Sequence, residues 1–93
     1  MQFEWDKKKA ESNLAKHSVS FEEASTVFDD PLARILYDAE HSVEEDREII
    51  VGHSIINRLL AISFTEKFNG NVRIISARLA TKKERGRYEE QTN

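Results

Sequence analysis

The strongest constraint on this chain is an Asn-Gly pair, Asn69-Gly70, set between two alternating runs, "RLLAISFTEK" and "NVRIISARLA". Such a pair favours a two-residue hairpin turn, and a turn of that kind fixes the register of both strands. With Asn69 and Gly70 at the central positions, Lys67 faces Val72 and Glu66 pairs with Arg73. Phe64 then pairs with Ile75, Ile62 with Ala77 and Leu60 with Leu79, all on one face. Thr65 with Ile74, Ser63 with Ser76 and Ala61 with Arg78 occupy the other. The first face reads as core, and the second is half polar with Arg78 near its centre.

The same pattern extends upstream. "REIIVGHS" predicts a strand that a tight turn at Ile56-Asn57 would align, Val51 with Ile62 and Ile49 with Phe64, although a β-branched Ile suits a positive φ poorly. "ARILYDA" predicts another strand, with residues 40–46 as the connection between these two. Before Pro31 the period is helical. Asp6 can cap a helix over residues 7–16 with Ala10 and Leu14 on a buried stripe. Ser20 with Glu23 is a capping-box pattern opening a helix over residues 21–29, which buries Phe21, Ala24, Val27 and Phe28 and ends at Pro31. Thr81 with Glu84 repeats that pattern and starts a final helix. The expected fold is α+β: two N-terminal helices, an antiparallel sheet of about four strands with one face covered and the other largely open, and a C-terminal helix.

With 93 residues, 39% of them hydrophobic and 33% charged, the chain reads as one domain over residues 1–93. It contains no cysteine, which excludes disulfides and thiolate metal sites and fits a reducing cytoplasm. No stretch approaches the roughly 20 apolar residues of a membrane span. The histidines at 17, 41 and 53 lack zinc-site spacing, and no glycine-rich phosphate loop occurs, so neither a metal nor a cofactor is expected. "GHS" at 52–54 lacks the strand-turn-helix context of a hydrolase elbow. Phe3 and Trp5 read as core or interface anchors. Charge is unevenly distributed. Residues 20–48 hold ten acidic and two basic side chains, a balance of −8, while residues 49–93 hold eight basic and four acidic, +4. The second half is the one suited to a polyanion.

Arg78 on the open face meets the final helix just beyond it. Glu84 and Tyr88, four residues apart, share one face of that helix. A cation, a carboxylate and a phenol are therefore expected at one corner of the sheet.

"FEWDKKKAESNLAKHSVSFEEASTVFDDP", "VGHSIINRLLAISFTEK" and "RIISARLATKKERGRYEE" resemble the BrnT family of bacterial type II toxins. The resemblance covers nearly the whole chain and is weakest over residues 33–46. It implies a cytoplasmic endoribonuclease with a RelE/ParE-like fold that inhibits translation. It also implies neutralisation by a BrnA-like antitoxin, with the toxin a homodimer in a 2:2 complex that represses its own operon. Ser18 and Asn57 stand where the family usually has glycine, which would suit a left-handed cap or turn, so the serine and asparagine are expected to strain those loops by about 1 kcal/mol.

Metal-independent RNA cleavage uses the 2′-hydroxyl as nucleophile, so the protein supplies positioning, charge stabilisation and proton transfer. The arginine fork of Arg78 is the leading candidate for the phosphoryl charge, with Arg58 as a weaker assistant from the neighbouring strand. Glu84 as base, Tyr88 as stacking group or proton donor, and His17 as proton-transfer group are the titrating candidates. Arg73, Lys82, Lys83, Arg85 and Arg87 would hold the RNA backbone. Each has a structural alternative: Glu84 as a cap, Arg73 paired with Glu66, His17 terminating the first helix, Tyr88 packed at the core edge, Arg78 solvated. The other functional reading is a non-catalytic antitoxin-binding and co-repressor module, which the overall net charge of −3 favours.

Overall fold

The computed structural model describes residues 1–37 and 47–90. The expected connection at residues 40–46, and the end of "ARILYDA" at residues 38 and 39, lie outside the described residues. In chain order the elements are β1 (Phe3–Glu4), α1 (Lys7–His17), α2 (Phe21–Thr26), a 3₁₀ turn (Val27–Asp29), β2 (Arg34–Tyr37), β3 (Glu48–His53), β4 (Leu59–Glu66), β5 (Val72–Leu79) and α3 (Lys82–Glu89). The strands form one sheet in the order β1-β5-β4-β3-β2. β1 runs parallel to β5 and every other pair is antiparallel, so the sheet is mixed and has one strand more than the sequence pattern indicates. Two residues are too few for an alternation to be seen, and β1 is defined by its partner.

The helix starts follow local chemistry. Asp6 accepts from the Lys9 N–H (3.0 Å), Ser20 from the Glu23 N–H (3.0 Å) and Thr81 from the Glu84 N–H (3.1 Å), each satisfying a donor that the first turn leaves unpaired. The box at Thr81 is reciprocal, with Glu84 returning a bond to the Thr81 N–H. The box at Ser20 is only half formed, because the Glu23 carboxylate is turned elsewhere. The helix expected over residues 21–29 tightens into the 3₁₀ turn after Thr26.

α1 is rotated from its expected orientation. Leu14 is 51% exposed, and the one residue of α1 buried outright is Asn13. Its amide donates to Val19 O (2.9 Å) and Ala77 O (2.8 Å), and its Oδ1 accepts from the Ala77 N–H (3.0 Å). β1 pairs with β5 only at Val72 and Arg73, so Asn13 occupies part of the edge that a longer strand would cover. Phe21, Ala24 and Val27 from the α2 segment then pack on Ile50, Leu60, Ile62, Phe64, Ile74 and Ala77 of the sheet. Trp5 meets Phe21 edge-on, and Phe3 and Phe64 flank Phe28.

Both hairpins close one residue away from expectation, and in the same way. The Lys67 N–H donates to Asn71 O (2.7 Å) and the Gly70 N–H to Lys67 O (2.9 Å), so the loop is Phe68-Asn69-Gly70 with Gly70 left-handed at φ 83°. The Ser54 N–H likewise donates to Arg58 O (2.9 Å) and the Asn57 N–H to Ser54 O (2.8 Å), with Asn57 at φ 65°. Ser18 at φ 58° is the left-handed end of α1, as expected there. In the β4–β5 pair the offset is absorbed by a bulge: Ser63 faces Ser76 but Phe64 faces Ile74, which leaves Ile75 extra. Pairing from Leu60 to Ser63 is therefore as predicted. Beyond the bulge, Ile74 enters the core and Arg73 moves to the opposite face across from Thr65. The expected Glu66–Arg73 pair does not form, and Arg73 donates to Glu4 (3.1 Å) instead. In the β3–β4 pair nothing absorbs the offset, so Ile50 faces Ile62, and Ile49 and Val51 point away from the main core.

Those residues are not exposed, because the second face is not open at that end. α3 crosses it, and Val51, Leu59, Ala61 and Tyr88 form a second buried cluster with Leu36, Ile49 and Ala80 at its margin. Among the described residues no helix is long and apolar enough to cross a membrane.

Substitution of Asn13 by Ala strips the Ala77 N–H and C=O and Val19 O of their partner in a buried place. Each orphaned group costs about 1–3 kcal/mol, so Asn13→Ala is expected to lose on the order of 3 kcal/mol in urea unfolding. Asn13→Asp, which keeps an acceptor but removes the donors, should also destabilise. A loss under about 1 kcal/mol for both would show that α1 does not depend on this side chain.

Candidate functional site: the end of the sheet at His53, Arg58 and Arg78

Three polar constellations occupy one end of the sheet, where β3 and β5 finish and β4 begins. The first is built on Arg58. Its Nε donates to Glu23 Oε2 (2.9 Å), its Nη2 to Glu23 Oε1, and its Nη2 also to the carbonyl of Ser18 (2.9 Å). Ser54 adds a hydroxyl bond to Glu23 Oε2 (2.7 Å). The hydrogen bond from Arg58 holds the Glu23 carboxyl below its ordinary pKa against the opposing effect of burial, with Ser54 helping. Arg58 thus joins the left-handed end of α1, the start of α2 and the β3–β4 hairpin. It lies at the core-face edge, as expected.

The second is Arg78 with Glu84. Nη1 and Nη2 donate to Oε1 (2.7 Å) and Oε2 (3.0 Å), a bidentate pair, while Oε1 also accepts from the Thr81 N–H (2.8 Å). Partial burial pushes the Glu84 carboxyl upward, but the bonds from Arg78 and Thr81 outweigh it and the pKa is lowered. Glu84 is therefore cap and ion-pair partner at once, and a carboxylate held in its charged form is a poor proton acceptor.

The third constellation was not expected from the sequence. Tyr88 is 5% exposed; it donates to Asp30 Oδ2 (2.8 Å) and its oxygen lies 3.1 Å from His53 Nδ1. The same Asp30 oxygen accepts from the His53 N–H (2.9 Å), and Asp30 Oδ1 accepts from the Leu32 N–H (2.9 Å). Burial raises the pKa of Asp30, but the bonds from His53, Leu32 and Tyr88 outweigh it and the pKa is lowered, which keeps the carboxylate charged. A phenol has one proton, and it goes to Asp30. The His53 contact then places the proton of that bond on Nδ1, so Nε2 is the acceptor in the neutral ring. Gly52 makes this possible, since a Cβ there would lie 2.9 Å from Ala33 Cβ and 3.0 Å from Asp30 Oδ2. A cleft of about 260 Å³ beside His53 is lined by Thr26, Asp29, Asp30, Ser54 and Ile55.

Two of the residues predicted from sequence thus meet at the predicted corner, Arg78 and Glu84. Tyr88 shares α3 with Glu84 but turns into the sheet, where its buried ring offers no face to an RNA base. Arg34 of β2 stands in one cross-sheet row with Val51, Ala61 and Arg78, about 14 Å from Arg78 at three strand spacings. It donates to Arg87 O (3.0 Å) and lies 3.7 Å from the Glu90 carboxylate, so the two arginines flank the place where Tyr88 packs. Lys82, Lys83, Arg85 and Arg87 are exposed on α3. Arg73 lies farther along β5. His17 ends α1 and lines a separate groove with Ile75 and Ser76. Missed were His53, Asp30 and Arg34. Their bonds span 23 to 58 residues of chain, and no local spacing marks them; the one available cue was a histidine beside a glycine at a strand end.

The α+β domain thus carries two glutamate-bound arginines and a tyrosine-bound imidazole at one end of its sheet. The family described as the ribonuclease toxin BrnT of type II toxin–antitoxin systems matches residues 5–84, and the chain belongs to that family. The 1.1 Å crystal structure of the Brucella abortus ribonuclease toxin BrnT is similar with a TM-score of 0.69 at 23% identity, covering 88% of this chain and 99% of that one, a likeness in fold. No curated protein sequence matches the chain closely.

Burial, first, and the bond to Asp30 push the Tyr88 phenol up to about 12. An unfolded tyrosine ionises near pH 10, so folding retains a proton that the unfolded chain releases. The associated stability is complete below about pH 10 and is lost as pH rises toward about 12, on the order of 2 kcal/mol. Denaturant unfolding of the original chain and Tyr88→Phe between pH 8 and 12 should show this pH-dependent loss only in the original. Parallel curves would contradict the buried hydrogen bond.

Proposed function

We propose that this chain is a metal-independent endoribonuclease that cleaves RNA to inhibit translation, and that His53 is its proton-transfer group. The observation that carries this reading is the His53–Tyr88–Asp30 chain of hydrogen bonds, which leaves Nε2 as an acceptor beside an open cleft. An RNA strand crossing the sheet end would bring a 2′-hydroxyl to Nε2. As that proton moves to the imidazole, O2′ bonds to phosphorus, the P–O5′ bond breaks and O5′ takes a proton from water. The products are a 2′,3′-cyclic phosphate and a 5′-hydroxyl. Arg78 supports the phosphoryl charge by exchanging a carboxylate oxygen of Glu84 for a phosphoryl oxygen. Tyr88 and Asp30 act through His53, as positioning residues. Arg58 holds the hairpin that carries Ser54, and Lys82, Lys83, Arg85 and Arg87 on α3, with Arg73, hold flanking phosphates.

The same reading takes residues 1–93 as one RelE/ParE-like toxin domain that works in the cytoplasm. It is neutralised by a BrnA-like antitoxin as a homodimer in a 2:2 complex. Membership of a ribonuclease toxin family supports the RNA target and the existence of an antitoxin. One observation favours the alternative, a non-catalytic antitoxin-binding and co-repressor module: the forks of both Arg58 and Arg78 face glutamates, so any phosphate must compete for them.

The test is incubation of the purified, antitoxin-free chain with end-labelled RNA in excess chelator. Fragments ending in 2′,3′-cyclic phosphate are expected. His53→Gln should cut about 10²–10⁴-fold more slowly. Arg78→Ala should be slowed on the order of 10²-fold or more, the scale of losing one charge-stabilising group. Unchanged cleavage by His53→Gln would remove that residue from the reaction. No cleavage by folded protein would favour the alternative.

A further inference from the structure

α1 carries Lys9, Ser12, Asn13, Lys16 and His17 at intervals of three and four residues, so they form one stripe. In a helix packed on a sheet this stripe is ordinarily apolar. Here it is polar, and with Ile75 and Ser76 of β5 it lines a groove of about 210 Å³. Asn13 is committed to backbone groups on both sides and forms the floor. Lys9, Ser12 and Lys16 are exposed along the rim and His17 is half-buried.

A second feature lies on the opposite wall. The β5 bulge falls at Ile75, beside Ser76, and a bulge re-aims the side chains around it. The groove also follows the β5 edge that β1 stops short of covering. Ser76 is two residues from Arg78 on the same strand, about 7 Å along it. A strand of linked anions lying in this groove would therefore lead toward Arg78.

We infer that the groove between α1 and the bulged edge of β5 is a second RNA-binding subsite, which holds backbone phosphates of the strand flanking the scissile bond through Lys9, Lys16 and His17, with Ser12 and Ser76 as hydroxyl partners. This rests on the proposed RNA-cleaving function and adds the path of the substrate. Charge selects the occupant, since the groove lining contains two lysines and a histidine and no carboxylate. Glu11 lies off the stripe, and Asp6, three residues before Lys9, is not part of the groove lining and is committed to the Lys9 N–H. The site takes phosphodiesters without regard to base.

The test is fluorescence anisotropy with a labelled, uncleavable 2′-O-methyl oligoribonucleotide of about ten nucleotides, titrated with the original chain, Lys9→Gln/Lys16→Gln and Lys7→Gln/Lys8→Gln. Glutamine keeps helix propensity, and the second pair changes charge equally outside the groove. The groove variant should bind about tenfold more weakly, and its dependence of log Kd on log salt should fall by about 1.4, the contribution of two phosphates on a single strand. The control should change less than about threefold. Equal loss in both variants, no loss in the groove variant, or no binding by the original chain overturns the subsite. A groove variant that loses affinity for an antitoxin while keeping it for RNA also overturns it, in favour of a protein partner. If the original binds but does not cut RNA in the chelator assay, and the groove variant binds less, the subsite stands while the proposed cleavage falls.

Discussion

The end of the sheet that carries Arg58 and Arg78 depends on how α1 is held against β5, and that depends on the Asn13 amide. A primary amide presents a donor and an acceptor with the same relative placement as a backbone peptide unit, so it can stand in for one residue of a missing edge strand. Asn13 does this at Ala77, and its second N–H reaches Val19 just past the end of α1. One buried side chain therefore fixes the helix, the turn after it and the strand beside it. Because that turn exposes the Ser18 carbonyl to Arg58, the same constraint is passed to α2 and the β3–β4 hairpin through the Glu23 pair. A helix docked by apolar contact alone could slide by a turn. One docked through three directional bonds cannot.

The register of β5 shows how two local departures combine. Moving the loop by one residue at Phe68-Asn69-Gly70 would turn every side chain of the pairing to the wrong face. The bulge at Ile75 restores the alternation below it, so Ile62, Ala77, Phe64 and Ile74 all reach the core. Arg73 is carried across to the face of Thr65, where Glu4 of β1 meets it. The β3–β4 pair has the same three-residue loop and no bulge, which is why its other face, Val51 with Ala61, is the one that receives Tyr88.

Much of this was legible in the sequence where the cause is local. The caps at Asp6, Ser20 and Thr81 follow from a side-chain oxygen three residues before a first-turn donor. Pairing from Leu60 to Ser63 follows from alternation. What was not legible is long-range. A polar residue at the buried point of α1 inverts the periodicity argument, because hydrophobic spacing selects Leu14 and the sheet edge selects Asn13. The half-formed box at Ser20 looks complete until Arg58, 35 residues away in sequence, takes the glutamate. His53 was set aside for lack of a recognisable motif, although Asp30 and Tyr88 hold it in place across 23 and 35 residues.

α3 is the element whose attachment bears most directly on function, since it has almost no apolar face. Among the described residues Tyr88 is its one buried residue, and its polar contacts include Glu84 to Arg78 near the start, and Arg34 to the Arg87 carbonyl and Glu90 near the end. Apolar burial of one aromatic ring contributes about 2–3 kcal/mol, comparable with what the ion pairs and hydrogen bonds add in partly exposed settings. The helix is thus held largely by the arginines that an RNA phosphate would also seek. An anion arriving at Arg78 does not meet a vacant cation. Under the proposed function it would trade places with Glu84, whose other bonds to Thr81 would keep the helix start intact through the exchange. The capping box and the ion pair share one carboxylate, and on the proposed reading this sharing would let the arginine change partners without unfolding the helix that supplies Tyr88 to His53.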